Sequence, residues 1–294
     1  MRRIQSLCMM HYPLCILLAV LLLVSCGTTS RVPVTGRKQT LMVSDGDMLS
    51  LSTQQYQQFM QSARPSANAT ATAMVKRVGQ NLANAVTTYL QQNGYAAELQ
   101  HFAWEFNLVQ DQQVNAWCMP GGKIVVYEGL LPVTQDEASL AIVLGHEIAH
   151  AVAKHSAERI SKEYKNQYGA AILGTVVQAA GVSQGTQQLI DLVQQVGGSL
   201  LTSGFSRKQE SEADHMGLIF AAMAGYDPRV ATTFWQRMAA QGSGGGGLFS
   251  DHPSDADRVR NIQGWLPEAL RYYKGGTTTA TPANTSRSFR FTGR

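Results

Sequence analysis

Leu144-Gly145-His146-Glu147-Ile148-Ala149-His150 lies within a run, Asp136 to Arg159, that has apolar residues at Leu140, Ile142, Val143, Leu144, Ile148 and Val152 and no proline. That pattern predicts a single buried helix. Its start, Thr134-Gln135-Asp136-Glu137, reads as a capping box. Residues four apart on a helix stand one above the other, so His146 and His150 share a face. Two neutral imidazoles at that spacing can hold one zinc ion, with Glu147 between them available as a general base. The alternative is a chance match in a core helix. It would bury two imidazoles and a carboxylate without partners, at a cost of several kcal/mol.

A catalytic zinc takes three protein ligands and leaves one position for water. A histidine six residues after His150 would complete one known pattern, but Ser156 stands there. His155 is one residue short and faces elsewhere on a continuous helix, so it reads as a surface residue. The other choice is a carboxylate from a later helix. Glu210 and Glu212 both qualify, at the start of the helix that follows Ser206-Arg207-Lys208-Gln209.

Outward from the motif, the composition is that of a globular protein: 44% of the 294 residues are hydrophobic and 15% charged. The net charge is only +4, with Arg2 and Arg3 among its sources, which gives no electrostatic case for nucleic acid. Those arginines precede the apolar run Leu14 to Val24, which is too short for a membrane span of ~20 residues and reads as a signal peptide over residues 1–25. Leu23-Val24-Ser25-Cys26 resembles a bacterial lipobox, so Cys26 is the expected lipidation site and new N-terminus. Gly27 after it, with no Asp there, favours the outer membrane, facing the periplasm. Cys8 and Cys15 would leave with the signal. Cys118 would then be the remaining thiol, expected as a packed or edge-strand residue with no disulfide. A structural zinc site rich in cysteine is excluded on the same count.

Residues 26–46 read as a lipidated N-terminus and tether, residues 47–273 as the folded domain, and residues 274–294 as a disordered tail. A helix is expected from about Asp47 to Ser62, broken by Arg64-Pro65-Ser66. A second starts at Asn68, carries Val75, Val78, Leu82, Val86 and Leu90, and ends at Gly94. Phe102, Trp104, Phe106 and Leu108 alternate as in a strand with one buried face. Asn115 to Met119 and Lys123 to Tyr127 flank Pro120-Gly121-Gly122 as a hairpin. Residues 166–204 carry almost no charge and read as a helical pair or lid near the site, with a membrane-surface role as the alternative. Glu210 to Met223 is a helix closed at Gly225, Asp227-Pro228 caps the next, Gly242 to Gly247 is a loop, and Ser254 starts a further helix. The fold class is α+β: a mostly helical domain with a small sheet beside the zinc-binding helix.

The segment Ser206-Arg207-Lys208-Gln209-Glu210-Ser211-Glu212-Ala213-Asp214 resembles the second motif of the gluzincin metallopeptidases, the family that holds the heat-shock protease HtpX and the CAAX prenyl protease. Further matches are Val32-Pro33-Val34-Thr35-Gly36-Arg37, Asn115-Ala116 with Pro120-Gly121-Gly122, and His252-Pro253. The likeness covers most of residues 31–265 and is nearest to the single-domain periplasmic lipoprotein members. It implies a zincin-like fold, one zinc per chain, Glu210 as third ligand and Asp214 as the carboxylate that orients a zinc-binding histidine. A ligating imidazole normally gives its other N–H to such a group. Glu212 is then the solvated glutamate.

The expected chemistry is peptide hydrolysis: Glu147 takes a proton from the zinc-bound water and returns it to the leaving amine. His252 and Arg207 are the candidate donors to the carbonyl oxygen. His252 is also a candidate fourth ligand that would hold the enzyme off, although Asp251 stands where relatives often have Ser or Thr. The substrate is expected to be an unfolded or extended polypeptide, pairing along Asn115 to Met119. A lipoprotein position suggests misfolded or unassembled envelope proteins and a link to outer-membrane protein assembly components. The rival is a chaperone-like lipoprotein that holds clients and rarely cuts.

Overall fold

The computed structural model describes residues 28–175, 204–240 and 257–275, with the backbone alone at 167–175 and 240. The expectations for the signal peptide, Cys26, residues 176–203, the loop Gly242 to Gly247, His252, Ser254 and the tail beyond residue 275 lie outside the described residues.

The helices follow their punctuation. Helix α1 (Asp45–Ser62) is capped by Ser44, and α2 (Ala69–Gln92) by Asn68, each side chain accepting from a backbone N–H in the first turn. Gly94, at φ 84°, ends α2 in the left-handed region that glycine enters freely. Strands β3 (Glu105–Val109), β4 (Ala116–Met119) and β5 (Lys123–Tyr127) form a sheet in the order β3-β5-β4. β4 and β5 are the expected antiparallel hairpin, while β3 pairs with β5 in parallel. Gly121 and Gly122 turn it with φ of 91° and 83°.

Side chains divide along β5 with the strand's period of two. Ile124 and Val126 enter the main core with α2. Val125 and Tyr127 face an aromatic cluster where Tyr56 and Phe59 of α1 meet Trp117 edge-on. Both sheet faces are thereby covered, and β4 is left as an edge among the described residues.

The helix carrying the two histidines is α3 (Glu137–Val152), buried along nearly its whole length. Asp136, not Thr134, caps it, accepting from Ser139 N at 2.6 Å, because Gln135 sits at φ 67° and separates Thr134 from the helix. The expected single helix to Arg159 is in fact two. Lys154 takes φ 58° and α4 (His155–Thr175) starts anew. A left-handed lysine is costly. Its ammonium is held by Asp45 and Glu98, each at 2.8 Å. These partners lie far away in sequence, so local pattern could not announce the break.

Helix α5 (Arg207–Met223) opens with a capping box, Ser206 with Gln209. It crosses α3 where two glycines meet. A Cβ on Gly145 would stand 2.7 Å from the Gly217 carbonyl oxygen, and one on Gly217 would stand 2.6 Å from His146 N. Helices α6 (Val230–Ala240) and α7 (Arg258–Tyr272) close that side.

Residues 28–41 are not a tether. β1 (Thr28–Arg31) and β2 (Lys38–Leu41) pair antiparallel, and Val32 between them is buried in the main core. Leu41 and Val43 pack with Ala157, Ile160 and Tyr164 of α4. Four-residue polar strands carry too little hydrophobic period to be seen in the sequence. Among the described residues no helix is long and apolar enough to cross a membrane.

Candidate metal centre

His146, Glu147 and His150 project from the middle of α3, and Glu210 from the first turn of α5; all four are buried. The imidazole Nε2 atoms of His146 and His150 converge to 3.0 Å. Glu210 reaches both, at 3.4 Å from His146 Nε2 and 3.5 Å from His150 Nε2. The glycine contact between α3 and α5 permits this approach, because a side chain at either position would push the helices apart.

The other ring nitrogens are committed elsewhere. His146 Nδ1 stands 2.8 Å from Asp214 Oδ1, one helical turn beyond Glu210. Burial opposes charge on His146, but Asp214 and Glu210 outweigh it and raise its pKa to about 9. Burial likewise works against the Asp214 carboxylate, yet Arg258 and His146 hold it below the usual range. Two imidazole nitrogens and one carboxylate are the His₂Glu donor set of a catalytic zinc. The donor chemistry fits zinc, with His146, His150 and Glu210 as the residues that would hold it.

Arg258 was missed by the sequence reading. Buried on α7, it donates to Asp214 Oδ1 at 2.6 Å and lies 3.4 Å above the Trp235 ring. Its signal is modest: a charge four residues before Ile262, on that helix's buried stripe. Arg207, expected near the substrate, is exposed in the first turn of α5.

Two expectations are corrected. His155 is not a surface residue but 0% exposed, and Glu212 is not solvated but 7% exposed. On a continuous helix, His155 would point about 140° away from His150. The break at Lys154 brings its Nδ1 to 2.8 Å from His150 Nδ1 instead. His155 Nε2 lies 3.0 Å from Glu212 Oε2. Burial opposes the charge of Glu212, but His155, Arg37 and Thr35 bring its pKa down to about 2. Phe205 stacks on His150 with ring centroids 4.0 Å apart. Cys118 lies on β4 as expected, its thiol pushed up by burial and by the nearby Glu147 carboxylate.

Residues 69–266 match peptidase family M48. The chain belongs to that family. M48 proteins are zinc metallopeptidases, so the metal expected from the two histidines and the α+β zincin-like fold agree with membership. Relatives include the mitochondrial metalloendopeptidase OMA1 of Schizosaccharomyces pombe, 43% identical over 173 residues, 56% of this chain and 48% of that protein. The human OMA1 metalloendopeptidase is 29% identical over 245 residues, 81% of this chain and 46% of that protein. A putative beta-barrel assembly-enhancing protease of Vibrio cholerae is 28% identical over 160 residues, 52% of this chain and 33% of that protein. The matched part thus spans half or less of each of these M48 relatives.

Proposed function

We propose that this chain is a zinc-dependent endopeptidase of the bacterial cell envelope that acts on misfolded or unassembled envelope proteins. The observation that carries the reading is the convergence of His146, His150 and Glu210, buried beside Glu147. Zinc held there would supply a Lewis acid and lower the pKa of its water to roughly 7. Glu147, next to His146, would act there as the general base and then as the acid toward the leaving amine. Asp214 holds His146 through Nδ1 and leaves Nε2 as the ligating atom. Arg258 neutralises Asp214 and fixes it in place.

The substrate is an extended polypeptide laid along the edge of β4. Main-chain pairing there is largely indifferent to sequence, as suits unfolded clients. Pro120, just beyond β4, shares with His150 a cleft walled by Met48, Leu49, Phe102 and Lys154, which would receive a neighbouring side chain. The lipobox-like segment ending at Cys26 supports an outer-membrane position facing the periplasm, as in the single-domain lipoprotein branch. The name of the Vibrio cholerae relative supports a role near outer-membrane protein assembly. His252 remains the proposed oxyanion donor or inhibitory fourth ligand.

Casein cleavage by the full chain in detergent tests the activity, beside Glu147→Gln and a chelated sample. Cleavage by wild type, lost on chelation and restored by zinc, is the expected result. Zinc binding without cleavage, even after His252→Ala, would favour the client-holding alternative.

A further inference from the structure

The loop Val32-Pro33-Val34-Thr35-Gly36-Arg37 has no part in the chemistry above, yet it leads directly to the metal centre. Thr35 Oγ1 donates to Glu212 Oε1, and Arg37 Nε donates to both Glu212 oxygens, at 3.0 and 2.8 Å. The same guanidinium donates from Nη1 and Nη2 to the two oxygens of Glu158, each at 2.9 Å. Glu158 also accepts from Gln209 Nε2, the side chain just before Glu210. Glu212 is thus held from one side by the N-terminal hairpin, and on its other side it meets His155.

His155 bridges that carboxylate and the metal centre, with Nε2 3.0 Å from Glu212 Oε2 and Nδ1 2.8 Å from His150 Nδ1. A ligating imidazole is oriented by the partner of its other ring nitrogen. With Nδ1 of His150 engaged by His155, its Nε2 is the atom that faces His146 Nε2 and Glu210. We infer that Thr35, Arg37, Glu212 and His155 form a positioning relay that fixes the orientation of His150 as a zinc ligand. His146 has its own single orienting carboxylate in Asp214. His150 is oriented instead through an intervening histidine, and the relay ends on a segment more than a hundred residues away in sequence. The hairpin is therefore part of the metal centre's support.

The inference rests on the zinc reading, and its test separates the two. Zinc affinity of the detergent-solubilised full chain is measured by competition with a chromogenic chelator. Cobalt substitution gives a spectrum of the ligand field. His155→Leu fills the space without polar atoms, and His155→Gln restores one acceptor and one donor. Loss of an orienting partner typically weakens metal affinity about 10–100-fold. That loss is expected for Leu, with a changed cobalt band, and recovery toward wild type for Gln. A role in packing alone would leave both variants alike. Unchanged zinc affinity in a folded His155→Leu overturns the relay while leaving the zinc reading intact. If wild type binds no zinc, the zinc reading itself fails. Should His155→Leu not fold, Glu212→Gln takes its place, because it keeps the shape and replaces one of the carboxylate oxygens that Thr35, Arg37 and His155 share. Unchanged affinity there overturns the relay equally.

Discussion

Glu147 follows His146 in the chain and Arg258 lies 3.3 Å from its Nδ1, yet the two do different work, so their substitutions should separate. Glu147 is the proposed proton carrier and is not among the zinc-holding donors. Glu147→Gln is expected to lower cleavage about 10²–10⁴-fold while zinc content, read by atomic absorption, stays at one per chain. Arg258 touches Asp214 rather than substrate. Arg258→Met leaves the buried Asp214 carboxylate without its arginine, and breaking a buried pair from one side costs about 3–5 kcal/mol. The expected outcome is a marked fall in Tm. A Tm equal to that of wild type would show that Asp214 is compensated by other means. The donors on α3 were legible because an i,i+4 histidine pair declares itself on any helix. Glu210 was legible only through family likeness, since Glu212 two residues away is the same residue type. Arg258 was only faintly legible, as a charge on its helix's buried stripe, and the partners of His155 were not, because tertiary contacts alone give them meaning.

Between elements, the crossing of α3 and α5 sets the geometry of the centre. A methyl group at Gly145 would meet backbone rather than a side chain that can swing away. Gly145→Ala is therefore expected to separate the helices, lower Tm and weaken zinc binding together, although alanine is the better helix former. A rise in Tm would mean that the crossing relaxes freely. The Arg37–Glu158 pair joins the hairpin to α4 in the same region. Burial would raise the Glu158 pKa, but Arg37 and Lys162 hold it below the usual carboxylate range. A depressed carboxylate stabilises the fold fully above the unfolded value and loses that contribution as pH falls through the folded one. Tm should thus drop on acidification below about pH 4.5, and Glu158→Gln should flatten that limb of the profile. An acid limb of unchanged steepness in the variant would assign it to other carboxylates. The sequence reading found α2, α5 and the β4–β5 hairpin. It could not find the end of α3, because Asp45 and Glu98 hold Lys154 in its left-handed conformation from outside the segment.

For the whole molecule, the hairpin changes what a lipid anchor would do. A flexible tether of twenty residues lets a domain range over about 25 Å. Here β1 begins at Thr28, with Gly27 alone between it and the proposed lipid on Cys26, and Val32 is already in the main core. The anchor would then hold the catalytic domain against the bilayer, which raises the effective concentration of substrates at the membrane surface without any added contact. Two variants test this. Cys26→Ser should move the protein into the soluble fraction with casein cleavage retained. A twenty-residue Gly/Ser insertion between Gly27 and Thr28 should keep the protein on the membrane and leave casein cleavage unchanged. The insertion should also slow cleavage of an unfolded protein bound to the same vesicles. If the ratio of vesicle-bound to soluble cleavage is the same with and without the insertion, closeness to the bilayer plays no part in substrate choice, and selection must lie in the cleft beside β4.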